Sequence, residues 1–576
     1  MSFVRRKPLP AAPALFLIAG LFLGSNNGCK GGSEKKPGGT EPAATAQPPS
    51  KGAAPQQAYL DERVPGEKRD EGDWLIRSLD GDCATLNYVL FNSLYENFVH
   101  MYLYRNLIDY DTKLAYIPGL AEKWEISPDH LTYTFHLRKD ATWDDGKPVT
   151  AEDFDFTVKK ILDPKVPAVN KKSGFTDYDS SRVVDSHTYE IKFKKPNASQ
   201  LASFNMAIMP KHIWGTGDFV THPANRKPVG CGPYKFVRWE TNKEIELARR
   251  DDYWDPKPAF SKIIFKILPD ESVRLNAIKT QQVDDARMSS IQWKDNKDDP
   301  EFQKNARVAM YYDFGFNFIA WNNASPLFKD KRVRQAMTML LDRKKIIQSI
   351  YFGTATTAVA PFAYGSWARN AAIEPWPYDP PGARKKLEEA GWKDTNGDGI
   401  LDRDGKKFEF EILNPVGCVV CEQVTQLLQR ELERVGVKMT LKPMEYASYE
   451  GKVVKGEYDA AVEAMATDVD PDPSPMLHTS QIPPDGFNVA RYSNPEMDKL
   501  LDEARVEFDQ EKRKALYFRA QDLFHQDEPM SMILYPASKW ALGNRFKGIN
   551  TSPLGLWLHY PSSLDWWVPK EKQLHH

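Results

Sequence analysis

The chain predicts an α/β protein built from more than one lobe, and four observations carry that expectation. Leu131, Tyr133, Phe135 and Leu137 alternate with polar residues, the period of a half-buried strand. The turn Asp144-Asp145-Gly146 follows, then a helix with Thr150 at its N-cap, Glu152 and Asp153 in its first turn, and Phe154, Val158 and Ile161 at helical spacing. Later, an amphipathic helix from Gln423 to Val435 stops at Gly436 and runs into alternating Val437, Met439 and Leu441, so helix-then-strand recurs. Finally, 576 residues, 41% of them hydrophobic, suffice for roughly three or four domain-sized units with a substantial core.

The first residues carry an address. Arg5, Arg6 and Lys7 precede the apolar run Ala14–Leu23, too short for a stable bilayer span, and small and polar residues follow up to Cys29. This is a secretory signal. Gly28-Cys29 looks like the end of a bacterial lipoprotein box, with Cys29 the acylated residue, although Asn26 stands where such boxes usually have Leu or Val. The paired arginines have the wrong flanks for twin-arginine export. Residues 30–73 read as a flexible tether: Lys30–Gln57 is dense in Gly, Pro, Ala and Ser without periodic apolar residues. The folded body is expected to begin near Trp74. A net charge of −2 provides no global field for nucleic acid. The 15 Trp and 24 Tyr suit both a large core and a groove of stacking surfaces.

Further along, Gly230 and Gly232 with Pro233 predict a sharp or closely approached backbone. Val333, Ala336, Met337, Leu340 and Leu341 form one apolar helix face, which is core. Asp394, Asn396, Asp398 and Gly399 have calcium-loop spacing, but Gly405 stands where the bidentate Glu belongs, so a solvated turn is favoured. Tyr458–Thr467 reads as a buried strand that ends in Asp468, Asp470 and Asp472, separated by Val and Pro. Asn494-Pro495 opens a helix bearing Met497, Leu500, Leu501 and Ala504, and Met530–Tyr535 reads as a strand returning to the first lobe.

Beyond Cys29, the even count of Cys83, Cys231, Cys418 and Cys421 favours disulfides in an exported chain: Cys83–Cys231 and Cys418–Cys421, or no bond in either pair. Cys418-Val-Val-Cys421 before a helix also has redox spacing, but lacks a thioredoxin-like context. A four-cysteine zinc site is disfavoured because Cys83 and Cys231 have no close-spaced partners. No HExxH, GxSxG, P-loop or dinucleotide glycine motif is present, so neither catalytic residues nor a cofactor nor a metal is assigned.

Several blocks together resemble one family. They are PGLAEKWEISPDHLTYTFHLRKDATWDDGKPVTAEDFDFTVKK (118–160), SLDGDCATLN (78–87), the stretch Met101–Asp109, PVGCGPYKFVRWETNKEIELARRDDYW (228–254), VRQAMTMLLDRKKII (333–347), YDPPGARKKLEEAGW (378–392), and the run from Asn494 to Tyr535. They resemble the family 5 extracellular solute-binding proteins, the periplasmic oligopeptide- and dipeptide-binding group. The resemblance implies a two-lobed periplasmic-binding-protein fold, type II-like with an extra subdomain in the first lobe. Two crossover strands are expected near Met310–Asn323 and Leu534–Trp540. The corresponding divisions are 74–315 for lobe I, 316–536 for lobe II and 537–576 for the return. It also implies a monomeric, non-enzymatic substrate-binding component on the periplasmic side, serving the permease of an ABC importer and capturing peptides by hinge closure. Non-peptide solutes (a sugar, an opine, a nickel complex) are the alternative within the fold; a secreted hydrolase and a chaperone or sensor are the alternatives outside it.

Asp468 matches the aspartate that pairs with a peptide's α-ammonium in the family, with Met465 where an aromatic usually stands; capping of the following turn is the plainer reading. Asn87 and Cys231 fall inside family blocks and are further ligand candidates, Cys231 at a small-polar position. Trp367 lies along the groove or simply packs. One departure bears on substrate: the loop Pro415–Cys421 has no cation where dipeptide binders carry an arginine. That leaves longer peptides or other solutes.

Overall fold

The computed structural model describes residues 60–91 and 93–575. The expected signal segment, Cys29 and the tether up to residue 59 lie outside the described residues.

Lobe I opens on β1 (Gly72–Leu79) and α1 (Leu94–Leu103), whose first turn is capped by the Ser93 hydroxyl accepting the Tyr95 N–H at 3.2 Å. A four-stranded antiparallel sheet then interrupts the lobe: β2 (Ala121–Ile126) and β3 (Thr132–Leu137), followed after α2 (Ala151–Leu162) by β4 (Tyr178–Asp185) and β5 (Thr188–Phe193), in the order β2-β3-β5-β4. This is the extra subdomain. Tyr133, Phe135 and Leu137 point into it, and Phe154, Val158 and Ile161 of α2 are fully buried against it, as their periods predict. The Asp153 carboxylate accepts the Thr150 N–H at 3.0 Å, fixing the start of α2. The chain returns through β6 (Tyr234–Glu240), β7 (Glu244–Arg249) and β8 (Phe260–Ile267), giving the order β1-β8-β7-β6 with β1 and β8 parallel. Gly230 and Gly232 sit on the end of α1. A Cβ at Gly230 would overlap the Leu103 carbonyl oxygen.

A single larger sheet joins the lobes. It contains β9 (Asp285–Arg287), β10 (Ala306–Tyr312), β11 (Gly315–Trp321), β12 (Ala355–Thr357), β13 (Glu409–Pro415), β14 (Lys438–Met444), β15 (Ala460–Ala466) and the 14-residue β16 (Met530–Gly543). Its main path is β9-β16-β11-β15-β13-β14, and β10 and β12 also pair with β16. The partners of β16 change along its length. From Met530 to Pro536 it pairs with β11 and β12; from Ala537 to Gly543 it pairs with β10 and β9. Core membership changes with the partners: Tyr311, Trp540 and Leu542 pack into lobe I, whereas Ile319, Trp321, Ile533 and Leu534 pack into lobe II. The passages 306–321 and 530–543 are therefore the two crossings.

Both faces of the lobe II sheet are covered. Ile319, Trp321, Ala460 and Val462 face one apolar layer, and Phe316, Phe318, Ala461 and Met465 face the other, the period-two signature of a strand buried on both sides. The covering helices are α3 (Lys331–Met339), α4 (Pro380–Glu389), α5 (Val419–Arg434), α6 (Tyr446–Lys455), α7 (Pro495–Arg505) and α8 (Gln510–Asp527). Helix α5 starts four residues before the expected Gln423, because Cys418 caps it with its sulfur accepting the Cys421 N–H at 3.2 Å.

The body begins earlier than Trp74. Glu62 N–H donates to the Ile549 carbonyl at 2.9 Å, Arg307 pairs with Glu62 at 2.7 Å, and Arg69 pairs with Asp565 at 2.8 Å. Residues 60–73 thus dock on Arg307 and the C-terminal segment, a correction to the expected tether. Their partners lie far along the chain, so no local pattern announces them.

His100 of α1 sits among Tyr88, Phe91 and Tyr104, at 5.6, 5.0 and 5.5 Å between ring centres. Burial holds its pKa down at about 3, against an ordinary 6.5. Between those values the unfolded chain binds a proton that the folded chain refuses, so stability falls as pH falls through that window. In paired denaturation curves of wild type and His100→Phe, the difference in stability should be constant above pH 6.5. Below it, the balance should move in the variant's favour by about 1.4 kcal/mol per pH unit.

Candidate functional site

Strands β13, β14 and β15 run parallel, so Pro415, Met444 and Ala466 end at the same edge of the sheet. The crevice outside the carboxyl ends of parallel strands is where α/β sheets hold ligands. Three segments emerge there: Val416–Cys418, Glu445, and the acidic loop Thr467–Pro473.

The acidic loop is pinned from α7 and α8. Arg513 Nη2 donates to Asp470 Oδ1 at 2.9 Å, with both side chains largely buried. Arg505 donates through Nη2 and Nε to Asp472 Oδ2 at 2.9 and 3.2 Å. The other Asp472 oxygen accepts the Ser474 N–H at 2.9 Å, and Tyr517 Oη donates to the Pro471 carbonyl at 2.6 Å. Asp468 differs. It makes no hydrogen bond or ion pair among the described residues and retains open surface. Even so, surrounding protein raises its pKa through burial and then through Asp472, with Lys171 pulling the other way. Asp468 follows the carboxyl end of β15 and feels Lys171 of the other lobe, which places it between the lobes. Burial likewise pushes Asp470 up to about 6 against the pull of Arg513.

Lobe I supplies the opposite wall. The phenol rings of Tyr110 and Tyr116 lie 4.8 Å apart. Burial raises both pKa values, and the charges of Asp468 and Asp470 raise them further across the lobe boundary. Lys171 Nζ donates to Tyr88 Oη at 3.0 Å and lies 4.3 Å above the Tyr88 ring. The lobes also touch at the rim, where His130 stacks on Phe508 at 3.6 Å between ring centres and the Ala198 N–H donates to the Arg505 carbonyl at 2.8 Å.

Of the expected site residues, the structure brings Asp468 and Trp367 to this region. Trp367 is half-buried, 6.0 Å from Tyr517, with the Arg513 guanidinium 5.0 Å from its ring centre. The other three are elsewhere. Met465 is buried in the lobe II core, because the strand's alternation turns it toward the covering helices. Asn87 is wholly buried, its amide donating to Asn225 at 2.9 Å and accepting from the Val89 N–H at 2.9 Å. Cys231 is wholly buried under the end of α1, with burial pushing its thiol up to about 12. Arg505, Arg513, Tyr110, Tyr116 and Lys171 were absent from the expectations. The one local hint was three carboxylates at alternate positions, which demand cations from somewhere.

The cysteines resolve unevenly. Cys418 and Cys421 are bridged, with sulfurs 2.04 Å and Cα atoms 5.2 Å apart, while Cys83 and Cys231 are free and buried. The Cys83–Cys231 pairing is thereby corrected: each thiol packs in the lobe I core without the other. In the Asp394–Asp404 turn the carboxylates are already engaged. Asp394 accepts the Gly397 and Gly399 N–H groups at 2.8 and 2.9 Å, and Asp398 pairs with Lys407 at 2.6 Å. Among the described residues, no helix is long and apolar enough to cross a membrane.

The family model for bacterial extracellular solute-binding proteins, family 5 Middle, matches residues 115–487. The oligopeptide-binding protein AppA of Bacillus subtilis is 30% identical over 506 residues, covering 85% of this chain and 90% of that protein. The heme-binding protein A of Haemophilus influenzae is 29% identical over 498 residues, covering 80% of this chain and 87% of that protein. The structure of Bacillus subtilis AppA in complex with a nonapeptide matches with a TM-score of 0.73 at 27% identity, over 87% of this chain and 100% of that one.

Thiol titration checks the cysteine assignment on the body from residue 60. Without reductant, Cys83 and Cys231 should react with Ellman's reagent only after unfolding, and Cys418 and Cys421 only after unfolding and reduction. Reaction of Cys418 in the folded, unreduced protein would contradict the bridge.

Proposed function

Since the chain belongs to the bacterial extracellular solute-binding proteins, family 5, we propose that it is the substrate-binding component of an ABC-type importer and that its cargo is peptide, longer than a dipeptide. The observation that carries this reading is Asp468, a carboxylate at the carboxyl edge of the lobe II sheet with no hydrogen-bond or ion-pair partner among the described residues. A peptide's α-ammonium would make a charge-assisted hydrogen bond there, and a ligand without a positive end would leave the carboxylate desolvated and unpaid. The rest of an extended peptide would use main-chain hydrogen bonds and water-filled space for varied side chains. No cation stands in the loop Pro415–Cys421 to clamp the second terminus of a dipeptide, which supports longer cargo.

The protein acts by binding alone. Ligand touches both lobes only in the closed arrangement and so shifts the population toward it. The flexing points are the crossings at 306–321 and 530–543, with lobe I at 60–315, lobe II at 316–536, and the return to lobe I at 537–576. Closed and loaded, a monomer would dock on its permease. Acylation at Cys29 and the segment up to residue 59 would keep it near a membrane on the outer side.

The experiment is mass spectrometry of what elutes when gently purified protein is denatured. A ladder of short peptides is expected, and Asp468→Ala should deplete it by at least about tenfold while leaving the thermal midpoint unchanged. The cation-free loop also admits a non-peptide solute. Elution of one such species would keep the fold and overturn the peptide assignment.

A further inference from the structure

The loop 467–473 places three carboxylates at alternate positions on one short segment, and its surroundings treat them unequally. Asp470 is held by Arg513, from the first turn of α8. Asp472 is held by Arg505, the last residue of α7. Asp468 has no such partner among the described residues. We propose that Arg505 and Arg513 are positioning residues that sort these carboxylates, neutralising Asp470 and Asp472 so that Asp468 alone meets the ligand and the crevice selects ligands with one positive group at that end. This inference rests on the proposed role of Asp468 as the ligand's anchor.

Three further features support the sorting. Without the two guanidinium groups, three negative charges on one loop would attract cations of higher charge regardless of shape, since Coulomb attraction is not directional. With them, Asp468 is the one carboxylate of this loop without a cationic partner among the described residues. Second, Arg513 is 7% exposed and uses one nitrogen on Asp470, while Nε and Nη1 are buried without a hydrogen-bond partner beside Trp367. Optimised packing alone would not leave two charged donors idle, so the fold accepts a cost to keep this guanidinium beside the carboxylate loop. Third, Lys171 from lobe I acts on Asp468 from the facing side and is fixed by the Tyr88 hydroxyl. Its ammonium tolerates one ligand cation at Asp468 and repels a second nearby. Tyr110 and Tyr116, on the same wall, are kept neutral by burial.

The test uses the full mature chain, stripped of bound ligand and offered a random pentapeptide library. The bound pool is sequenced by mass spectrometry. Wild type should select peptides whose only cation in the first two positions is the α-ammonium. Arg513→Gln, which frees Asp470, should enrich Lys or Arg in those positions roughly tenfold. The double variant Asp470→Asn with Arg513→Gln should restore the wild-type pool, an outcome that loss of folding stability cannot produce. Arg505 is more open, at 37% side-chain exposure, so Arg505→Gln provides the same test should Arg513→Gln fail to fold. A folded single variant with an unshifted pool, or a double variant that stays shifted, overturns the sorting while leaving Asp468 as the anchor. Asp468→Asn separates the two ideas: if this variant captures peptides as well as wild type does, the anchor itself is overturned, and the sorting with it.

Discussion

One strand constrains everything else. β16 is 14 residues long and almost wholly buried, yet its halves belong to different lobes. At the change of partner stands Pro536, which has no N–H to give to a ladder, and the Ala537 N–H that follows donates to the Thr354 carbonyl at 2.9 Å. A proline inside a central strand normally weakens it. Here it falls where one ladder ends and the next begins, so the missing donor costs little and marks the point with the least hydrogen bonding to resist bending. Because the second crossing, β10 to β11, pairs with the same strand on both sides of that point, the lobes can rotate without separating.

The same economy governs charge. Arg77 and Asp285 are fully buried and meet at 2.7 Å, with the guanidinium 3.6 Å above the Trp557 ring. Arg545 serves both Asp73 and Asp284 in the same lobe. Removing ions from water is costly, and these pairs show the price met by geometry. Asp468, without a hydrogen-bond or ion-pair partner among the described residues, departs from that habit, and on the proposed function a ligand cation supplies the partner. Glu528 shows why a raised pKa alone does not identify a site. Burial lifts it to about 8, but it lies beneath α3, held by Thr338 and facing Arg343 and Arg334, inside lobe II.

What was legible in the sequence follows the range of the forces involved. The strand at Thr132–Leu137 and helix α2 were readable because alternation, capping and 3.6-residue spacing are local. Both crossings were readable because the chain resembles a known family, and the acidic loop because the buried strand Tyr458–Thr467 runs into it. Asn87, Cys231 and Met465 fall inside or beside those blocks, but a block conserves the scaffold as well as the site, and these three are scaffold. The docking of residues 60–73 and the arginines of α7 and α8 were not legible. Each depends on a partner far along the chain, and Lys and Arg on amphipathic helices usually face water. The disulfide question split along the same line: Cys418 and Cys421 sit one helical turn apart, so their approach is local, whereas any meeting of Cys83 with Cys231 would have been decided by tertiary packing.

The rim contacts complete the logic of a binding switch through their weakness. His130 on Phe508 is one stacked pair, worth about 0.5–1.5 kcal/mol. The Ala198 to Arg505 hydrogen bond adds about 1 kcal/mol. Both are weak contacts, so on the proposed function the rim adds little to a closure that the ligand drives. Arg505 ties the two events together, since its carbonyl receives the subdomain and its side chain holds Asp472 in the ligand loop. If the loop is ordered around a ligand cation, as proposed, the seat on which the subdomain rests is ordered with it.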